Sequence, residues 1–461
     1  MDFDRLTVTL PQIVSLLESK MPYASVEAIV GDGLRIKANN QEQDVSPGTR
    51  NAGVVLTVHN GLYLEEYSTT QMEREPLLAE ARAWLDTLTR HRNGAEPDPG
   101  PEGDHEYNTP CGVDPDSVSL AEKFERVVER QARARALDPR IANAEVAYVE
   151  STYRMLFAGR HRVLSQRLVR TRIVTQLAVR DDAGTMQYEW DIQGGSMGHE
   201  LWDDVDRVRP LEDVCEVAVR LLSAERIPGG SYECVTAPDV SGTVAHESFG
   251  HGVETDMFLK GRARAEDYLG KRVAPDYVNM LDDPTLQGAF GAYFFDDEGQ
   301  IAAPTYIIRD GIFERGISDL YSSLKLDILR TGNGRRESFA RKAYARMSNT
   351  FFARGRTPVE EMIAGVEDGI YLGQLRSGME DPKNWGIQLV MHYGKEIKNG
   401  KLTGRIFSPV SMTGSVLDVL ASISQVGDDF IMDTGYCGKG HKEYIEVSAG
   451  GPHLRLRATL S

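Results

Sequence analysis

The sequence predicts an α+β protein. An N-terminal α/β domain with a mostly antiparallel sheet precedes a C-terminal, largely antiparallel β domain that carries a metal-binding helix. Three observations predict it. Amphipathic helical spacing brackets paired strands over the first 90 or so residues. Long apolar/polar alternation follows over 145–194, as in half-buried strands. The second half has short strands separated by Gly and Asp turns, with one small-residue run holding two histidines and a glutamate. At 461 residues the chain is too long for one core, and two domains are expected, 1–226 and 227–461.

In chain order, 10–20 and 71–90 have helical spacing. Residues 24–38 and 53–67 read as paired strands, each broken by a turn, at Gly31-Asp32-Gly33 and at Asn60-Gly61. The stretch 93–116 is rich in Pro, Gly and acidic residues and is expected to be a mobile loop. A charged helix with a solvated face follows over 117–136. Strands are expected over 145–158, 161–181 and 187–194. The arginines of 160–172 alternate with Val and Leu, which favours outward-facing positions over a phosphate cradle. A helix over 211–225 closes the first domain.

The second domain opens with a strand over 232–237. Strands then dominate: 291–295 and 305–309 around a turn at Asp297-Glu298-Gly299, a further turn at Asp310-Gly311, then 386–393, 402–409 and 444–447. One more helix is expected over 358–369, capped by Thr357.

Composition narrows the function classes. Hydrophobic content of 41% and charged content of 26% describe a soluble globular protein. The net charge of −17, from 52 basic and 69 acidic residues, argues against a general nucleic-acid binder. The start, Met1-Asp2-Phe3-Asp4-Arg5, lacks the pattern of a signal peptide, and no stretch approaches a membrane span. Cys111, Cys215, Cys234 and Cys437 are scattered, unlike a disulfide framework. A cytoplasmic, reduced protein is expected.

The chemistry concentrates in Ala245-His246-Glu247-Ser248-Phe249-Gly250-His251. Two imidazoles can bind zinc, and the carboxylate beside the first can take a proton from water. In the familiar HExxH helix the histidines lie roughly 40° apart in projection; the HExxxH spacing here puts them roughly 140° apart. Both still reach one ion if the helix carries a π-bulge, which Gly250 and Gly252 would ease. A third ligand is needed. Glu254 and Asp256 are near enough in sequence to reach back, but Cys437 is the better candidate, a thiolate among glycines with Lys439 helping to keep it deprotonated.

These residues resemble the PmbA/TldD family of metallopeptidases, and its motif-bearing TldD-like branch. The resemblance is carried by 245–256, by Phe295-Asp296-Asp297-Glu298-Gly299 and by 331–338. It continues through Arg346-Met347-Ser348-Asn349-Thr350, 368–371 and Tyr436-Cys437-Gly438-Lys439, in family order across the second half. It implies a zinc metalloprotease in which His246, His251 and Cys437 hold Zn2+ and Glu247 is the general base. Unfolded or extended peptides are the implied substrates. It also implies a dimer, either a homodimer or a heterodimer with a motif-lacking PmbA/TldE-like subunit. The chain departs from the family pattern at Gly440-His441. Tyr436, His441 and Arg346 are candidates for contacting substrate or an oxyanion. Two other classes compete: a non-catalytic partner or assembly subunit, and a zinc hydrolase of a non-peptide amide.

Overall fold

The structure, a computed structural model, describes residues 3–48, 50–91, 96–439 and 442–461. Its first half is built on an eight-stranded sheet. Strands Leu64–Thr69, Asn51–His59, Tyr23–Ala38, Ile141–Gly159 and Arg162–Arg180 lie side by side, all antiparallel. Gln43–Pro47 pairs with the far end of Tyr23–Ala38, and Met186–Gly195 with Arg162–Arg180. Helices Leu6–Glu18 and Arg74–Thr87 cover one end of the sheet through Leu10, Ile13, Leu17, Leu77 and Ala81. Helix Leu120–Arg135 covers another part, packing Val127 on Val146, Tyr148 and Ile173.

Several expectations are corrected here. Strand Tyr23–Ala38 runs straight through Gly31-Asp32-Gly33 without a turn. Those glycines answer to close packing: a Cβ on Gly31 would sit 2.5 Å from the Tyr153 ring, and one on Gly33 2.8 Å from the Glu150 carbonyl. The Asn60-Gly61 turn does form, with Gly61 at φ 102° and Asn60 Oδ1 accepting from the N–H groups of Leu62 and Tyr63. Within the supposed mobile loop, residues 93–95 lie outside the described residues. His105–Asn108 forms a strand paired parallel to 164–167, and Asp114 salt-bridges Arg167 at 2.8 Å. Polarity there reflects an edge strand whose backbone is satisfied by the sheet.

The helix predicted over 117–136 begins after Ser119, whose hydroxyl caps Glu122 N–H, and its charges are not all solvated. Lys123 and Arg130 are buried and paired, Lys123 to Glu150 at 2.6 Å and Arg130 to Asp206 at 2.7 Å. Arg162 and Arg170, expected to face outward, are each 3% exposed. Arg170 donates to the carbonyls of Phe290 and Ala292, so it ties the sheet to the second half. A guanidinium is planar and has five donors, which suits it to a polar contact between two packed layers.

The second half contains a closed barrel. Strands Gly230–Thr236, Asp368–Asp381, Gly386–Lys398, Val410–Ser415 and Leu454–Leu460 form a ring. One contact in it is parallel, between 369–372 and 233–236. Beside the barrel lies a six-stranded sheet: Ile312–Phe313, Thr305–Arg309, Met280–Asp282, Asn349–Phe352, Lys442–Gly451 and Ile431–Lys439. The core between them contains Val240, Val244, Phe249, Phe352, Leu372, Leu389 and Ile445.

The turn at Asp310-Gly311 forms with both residues at positive φ, 48° and 74°. The stretch 291–295 is not a strand, although Phe295 bridges to Ile301 around the Asp297-Glu298-Gly299 turn. The helix expected over 358–369 spans only Val359–Ala364; Pro358, not Thr357, stands at its N-cap, and Asp368 begins a barrel strand. Short helices at Leu320–Leu326 and Val416–Ala421 escaped the pattern because each is too brief to show a period.

Candidate metal centre

Barrel strand Gly230–Thr236 runs directly into helix Pro238–Ala245, with Pro238 at its first turn. The helix is wedged between the barrel and the six-stranded sheet. Gly242 lets it touch strand Lys442–Gly451, since a Cβ there would lie 2.1 Å from Gly450 N. At His246 the ladder widens to a π-turn, His246–Gly250, then tightens to a 3-10 turn at His251–Val253. The expanded turn does what the five-residue spacing requires: it rotates both imidazoles to one side. Gly250 is needed because Met347 Sδ would lie 2.0 Å from a Cβ there.

Strand Ile431–Lys439 is the terminal strand of the six-stranded sheet and delivers Cys437 to the same point. Cys437 Sγ lies 3.3 Å from His246 Nε2 and 3.3 Å from His251 Nε2. The two rings stand 5.2 Å apart and nearly perpendicular, at 86°. All three ligand atoms fall within 4.8 Å of one another. Zn–S near 2.3 Å and Zn–N near 2.05 Å in a tetrahedron give S···N edges of about 3.5 Å, so the donor set fits zinc in kind and in spacing.

The surrounding charges support this cluster. His251 Nδ1 faces Glu254 Oε2 at 3.4 Å, as carboxylates commonly orient a metal-binding imidazole. Glu254 is buried and meets Lys439 Nζ at 3.0 Å and Arg346 Nε at 3.4 Å. Burial alone would raise its carboxyl, but Lys439 and His251 hold it well below the usual range. Burial likewise opposes a charged sulfur at Cys437, yet the facing imidazoles of His251 and His246 outweigh it and hold the thiol well below its ordinary value. Lys439 has a different role from the one expected. It pairs with Glu254 and with Asp256, at 2.7 Å, rather than acting on the sulfur.

Glu254 and Asp256 are therefore partners of the cluster's supports and stand outside the ligand set. Arg346, a sequence candidate for substrate contact, is 1% exposed. Its Nη groups donate to the carbonyls of Cys437 at 2.8 Å and Glu443 at 2.6 Å, so it braces the cysteine from behind. Tyr436 lies on the opposite face of its strand from Cys437, with Arg172 over its ring and Phe290 edge-on to it, and away from the histidines. His441 lies outside the described residues.

Glu247 is half-buried and, among the described residues, forms no hydrogen bond or ion pair. Gly378 makes room for it: a Cβ there would lie 2.7 Å from Glu247 Cγ. Two residues along that strand stands Glu380, which sequence reasoning missed. Among the described residues, both its oxygens are buried without hydrogen-bond partners. Burial pushes its carboxyl up to about 9; the charge of His251 opposes this and that of Glu247 adds to it. Only the fold brings Glu380 within reach of Glu247, so no local pattern announces it.

Outside the metal cluster itself, the motifs at 295–299, 331–338 and 346–350 that helped carry the resemblance prove to be scaffolding. Asn333 donates to Asp282 and to the Arg346 carbonyl; Arg335 holds the carbonyls of Met347 and Glu446; Gly334 N–H donates to Asp296. Asp282 is fully buried and also accepts from Ser348 and Thr350. This network fixes the loops that position Arg346 and hence Cys437.

The comparisons with known proteins define the class first. A family model described as the PmbA/TldA metallopeptidase C-terminal domain matches residues 229–460. A metalloprotease of Methanothermobacter thermautotrophicus is 32% identical over 344 residues, 74% of each chain. A zinc metalloprotease TldD homolog of Saccharolobus solfataricus is 28% identical over 268 residues, 58% of this chain and 59% of that one. The crystal structure of TldE from Thermococcus kodakarensis shares the fold, with a TM-score of 0.75 and 14% identity over 97% of this chain and 98% of that one. This is a metallopeptidase family, and the chain belongs to it: it is a member of the PmbA/TldD family. Among the described residues no helix is long and apolar enough to cross a membrane.

Proposed function

We propose that the protein is a zinc-dependent peptidase acting on unfolded or extended peptides, with His246, His251 and Cys437 as metal ligands and Glu247 as general base. The observation that carries this reading is a carboxylate without a partner among the described residues, beside a converged set of two imidazoles and one sulfur. The name of the Saccharolobus relative supports zinc as the metal. A zinc ion held there supplies Lewis acidity toward the scissile carbonyl and lowers the pKa of water toward neutrality.

The chain's own residues do the rest. Glu247 takes the proton of the attacking water and passes it to the leaving amine. Glu254 holds His251 in the tautomer that leaves Nε2 free for metal. Arg346 and the polar network behind it fix the Cys437 backbone. Strand Ile431–Lys439 has a strand neighbour on one side only, which offers a peptide main-chain hydrogen bonds beside the metal with little side-chain selection.

Residues 1–226 and 227–461 act as two domains in this reading, supported by a sheet whose strands all precede residue 196 and a barrel that starts at Gly230. The protein works as a dimer, with itself or with a TldE-like chain, a reading supported by its likeness to TldE. Four free cysteines support a reducing, cytoplasmic setting.

The test is cleavage of an unstructured peptide, alone and with a PmbA/TldE-like partner, with and without chelator. Chelator-sensitive cleavage that Glu247→Gln abolishes while zinc stays bound is expected. Cleavage by a zinc-loaded Glu247→Gln protein contradicts the general-base role. A zinc-loaded protein inert in every combination points to the assembly-subunit alternative, and turnover of non-peptide amides alone to the other.

A further inference from the structure

A cavity of about 920 Å³ lies behind the metal-bearing strand, between the face of the first-half sheet that carries Arg170 and Arg172 and the loops of the second half. Strands Tyr23–Ala38, Ile141–Gly159 and Arg162–Arg180 give one wall. The other is formed by 293–297, 335–339 and the tips of the two strands carrying Tyr436, Tyr444 and Glu446. Its volume falls in the range of sites that enclose a small ligand or several residues of peptide.

The arginines in this cavity are not equivalent. Arg170 and Arg335 each hold two backbone carbonyls, and Arg336 is committed to Glu27 and Glu66. Arg172 has no such partner. Among the described residues it makes no ion pair, and its Nε is buried without an acceptor. Its guanidinium lies 4.8 Å from the centre of the Tyr436 ring and 5.4 Å from that of Phe290. Aromatic rings stabilise the faces of a guanidinium and leave its donor edge unused. A buried N–H with nothing to bind is costly, and a carboxylate is the best-matched acceptor of a guanidinium, through two parallel hydrogen bonds.

The surroundings narrow the ligand further. Arg35 and Arg50 also line the cavity but are exposed. Among the described residues the half-buried Arg172, whose charge acts on Asp433, is thus the inner cation with neither an ion pair nor a carbonyl to hold, and it suits a single carboxylate. Asp297, Glu337 and Glu446 in the same wall would repel a polyanion. Tyr436, which stacks on Arg172, immediately precedes Cys437 on the sheet's terminal strand. A peptide anchored at Arg172 passes around that open edge to reach the metal on the other face.

We propose that this cavity is a carboxylate-binding site for an extended peptide, with Arg172 as the receiving group. The proposal rests on the peptidase reading above for the kind of chain that enters. The carboxylate is either the peptide's own C-terminus or an acidic side chain.

The test uses full-length, zinc-loaded Glu247→Gln protein, so that bound peptide persists, and fluorescence anisotropy with an N-terminally labelled Gly/Ser/Ala octapeptide. Three forms are compared: free C-terminal acid, C-terminal amide, and amide with one internal Asp. The free acid, the Asp peptide or both are expected to bind about tenfold to a hundredfold more tightly than the neutral amide. Which of the two does so separates a C-terminal from a side-chain carboxylate, and either supports the site. Adding Arg172→Met is expected to erase the contrast, and Arg172→Lys to keep part of it, at unchanged zinc content and thermal midpoint. Should Arg172→Met fail to fold, the contrast is judged on the Arg172 and Arg172→Lys proteins. Equal binding of all three peptides, no binding of any, or a contrast that survives Arg172→Met overturns the proposal. Failure of the peptidase reading would appear separately, as absent chelator-sensitive cleavage by the Glu247 protein in a chain that still binds carboxylate.

Discussion

Arg346 shows most clearly how single residues sustain the metal centre. Buried, it faces Glu254 and holds the carbonyls of Cys437 and Glu443, so its loss removes one of the cations that balance Glu254 and a donor from each carbonyl. Arg346→Met is expected to destabilise the fold by about 3 kcal/mol or more in urea titrations. It should also weaken zinc about tenfold to a hundredfold by chelator competition. Arg346→Lys should recover part of the affinity. Asp433 gives a pH signature. Burial, with Asp239 and Asp191 nearby, raises its carboxyl to about 7, above its unfolded value. A raised folded pKa means that the folded state binds the extra proton, so the stabilisation is complete below about pH 4 and lost as pH rises through 7. Between pH 5.5 and 8.5 the unfolding free energy from urea titration should therefore fall more for the parent than for Asp433→Asn, by a difference on the order of 1 kcal/mol. At this scale the convergence of the three proposed ligands was legible because few residue types bind zinc. Arg346 was not: an arginine near a site in sequence reads equally well as an oxyanion donor or as a brace, and only its buried contacts distinguish the two.

The decisive element is the π-turn at His246–Gly250, which turns an awkward histidine spacing into a convergent one. It was legible because five-residue spacing on a regular helix points the rings apart. Two glycines set its surroundings. Gly378→Ala should displace Glu247 and lower kcat about tenfold to a hundredfold while zinc content holds, as steady-state kinetics and metal analysis would show. Gly242→Ala should instead push the helix off strand Lys442–Gly451, costing about 1–3 kcal/mol in denaturant unfolding and loosening zinc with it. Other elements depart from their sequence pattern for a common reason: glycines and polar runs suggest turns and loops. Gly31 and Gly33 are instead inside a long strand, and His105–Asn108 pairs with the sheet. Local composition reports backbone freedom, whereas close approach of a ring or a neighbouring strand depends on the fold.

For the whole molecule, the α+β class followed from periodicity, but barrel closure did not. The ring is completed by a parallel contact between segments more than 130 residues apart, Gly369 with Glu233 to Leu372 with Thr236, and pattern gives no pairing partner at that range. The inward turn of Arg162 and Arg170 was equally hidden, because alternation identifies two faces without saying that a second layer covers both. That layer is what encloses the cavity and delivers Cys437, from near the far end of the sequence, to histidines on the helix after Gly230–Thr236. The central claim is that these three side chains hold one ion. X-ray absorption at the zinc edge tests it most directly: the account predicts one sulfur near 2.3 Å and nitrogen or oxygen neighbours near 2.0–2.1 Å, with the sulfur lost in Cys437→Ser. A zinc shell without sulfur, or one unchanged by Cys437→Ser, would contradict it.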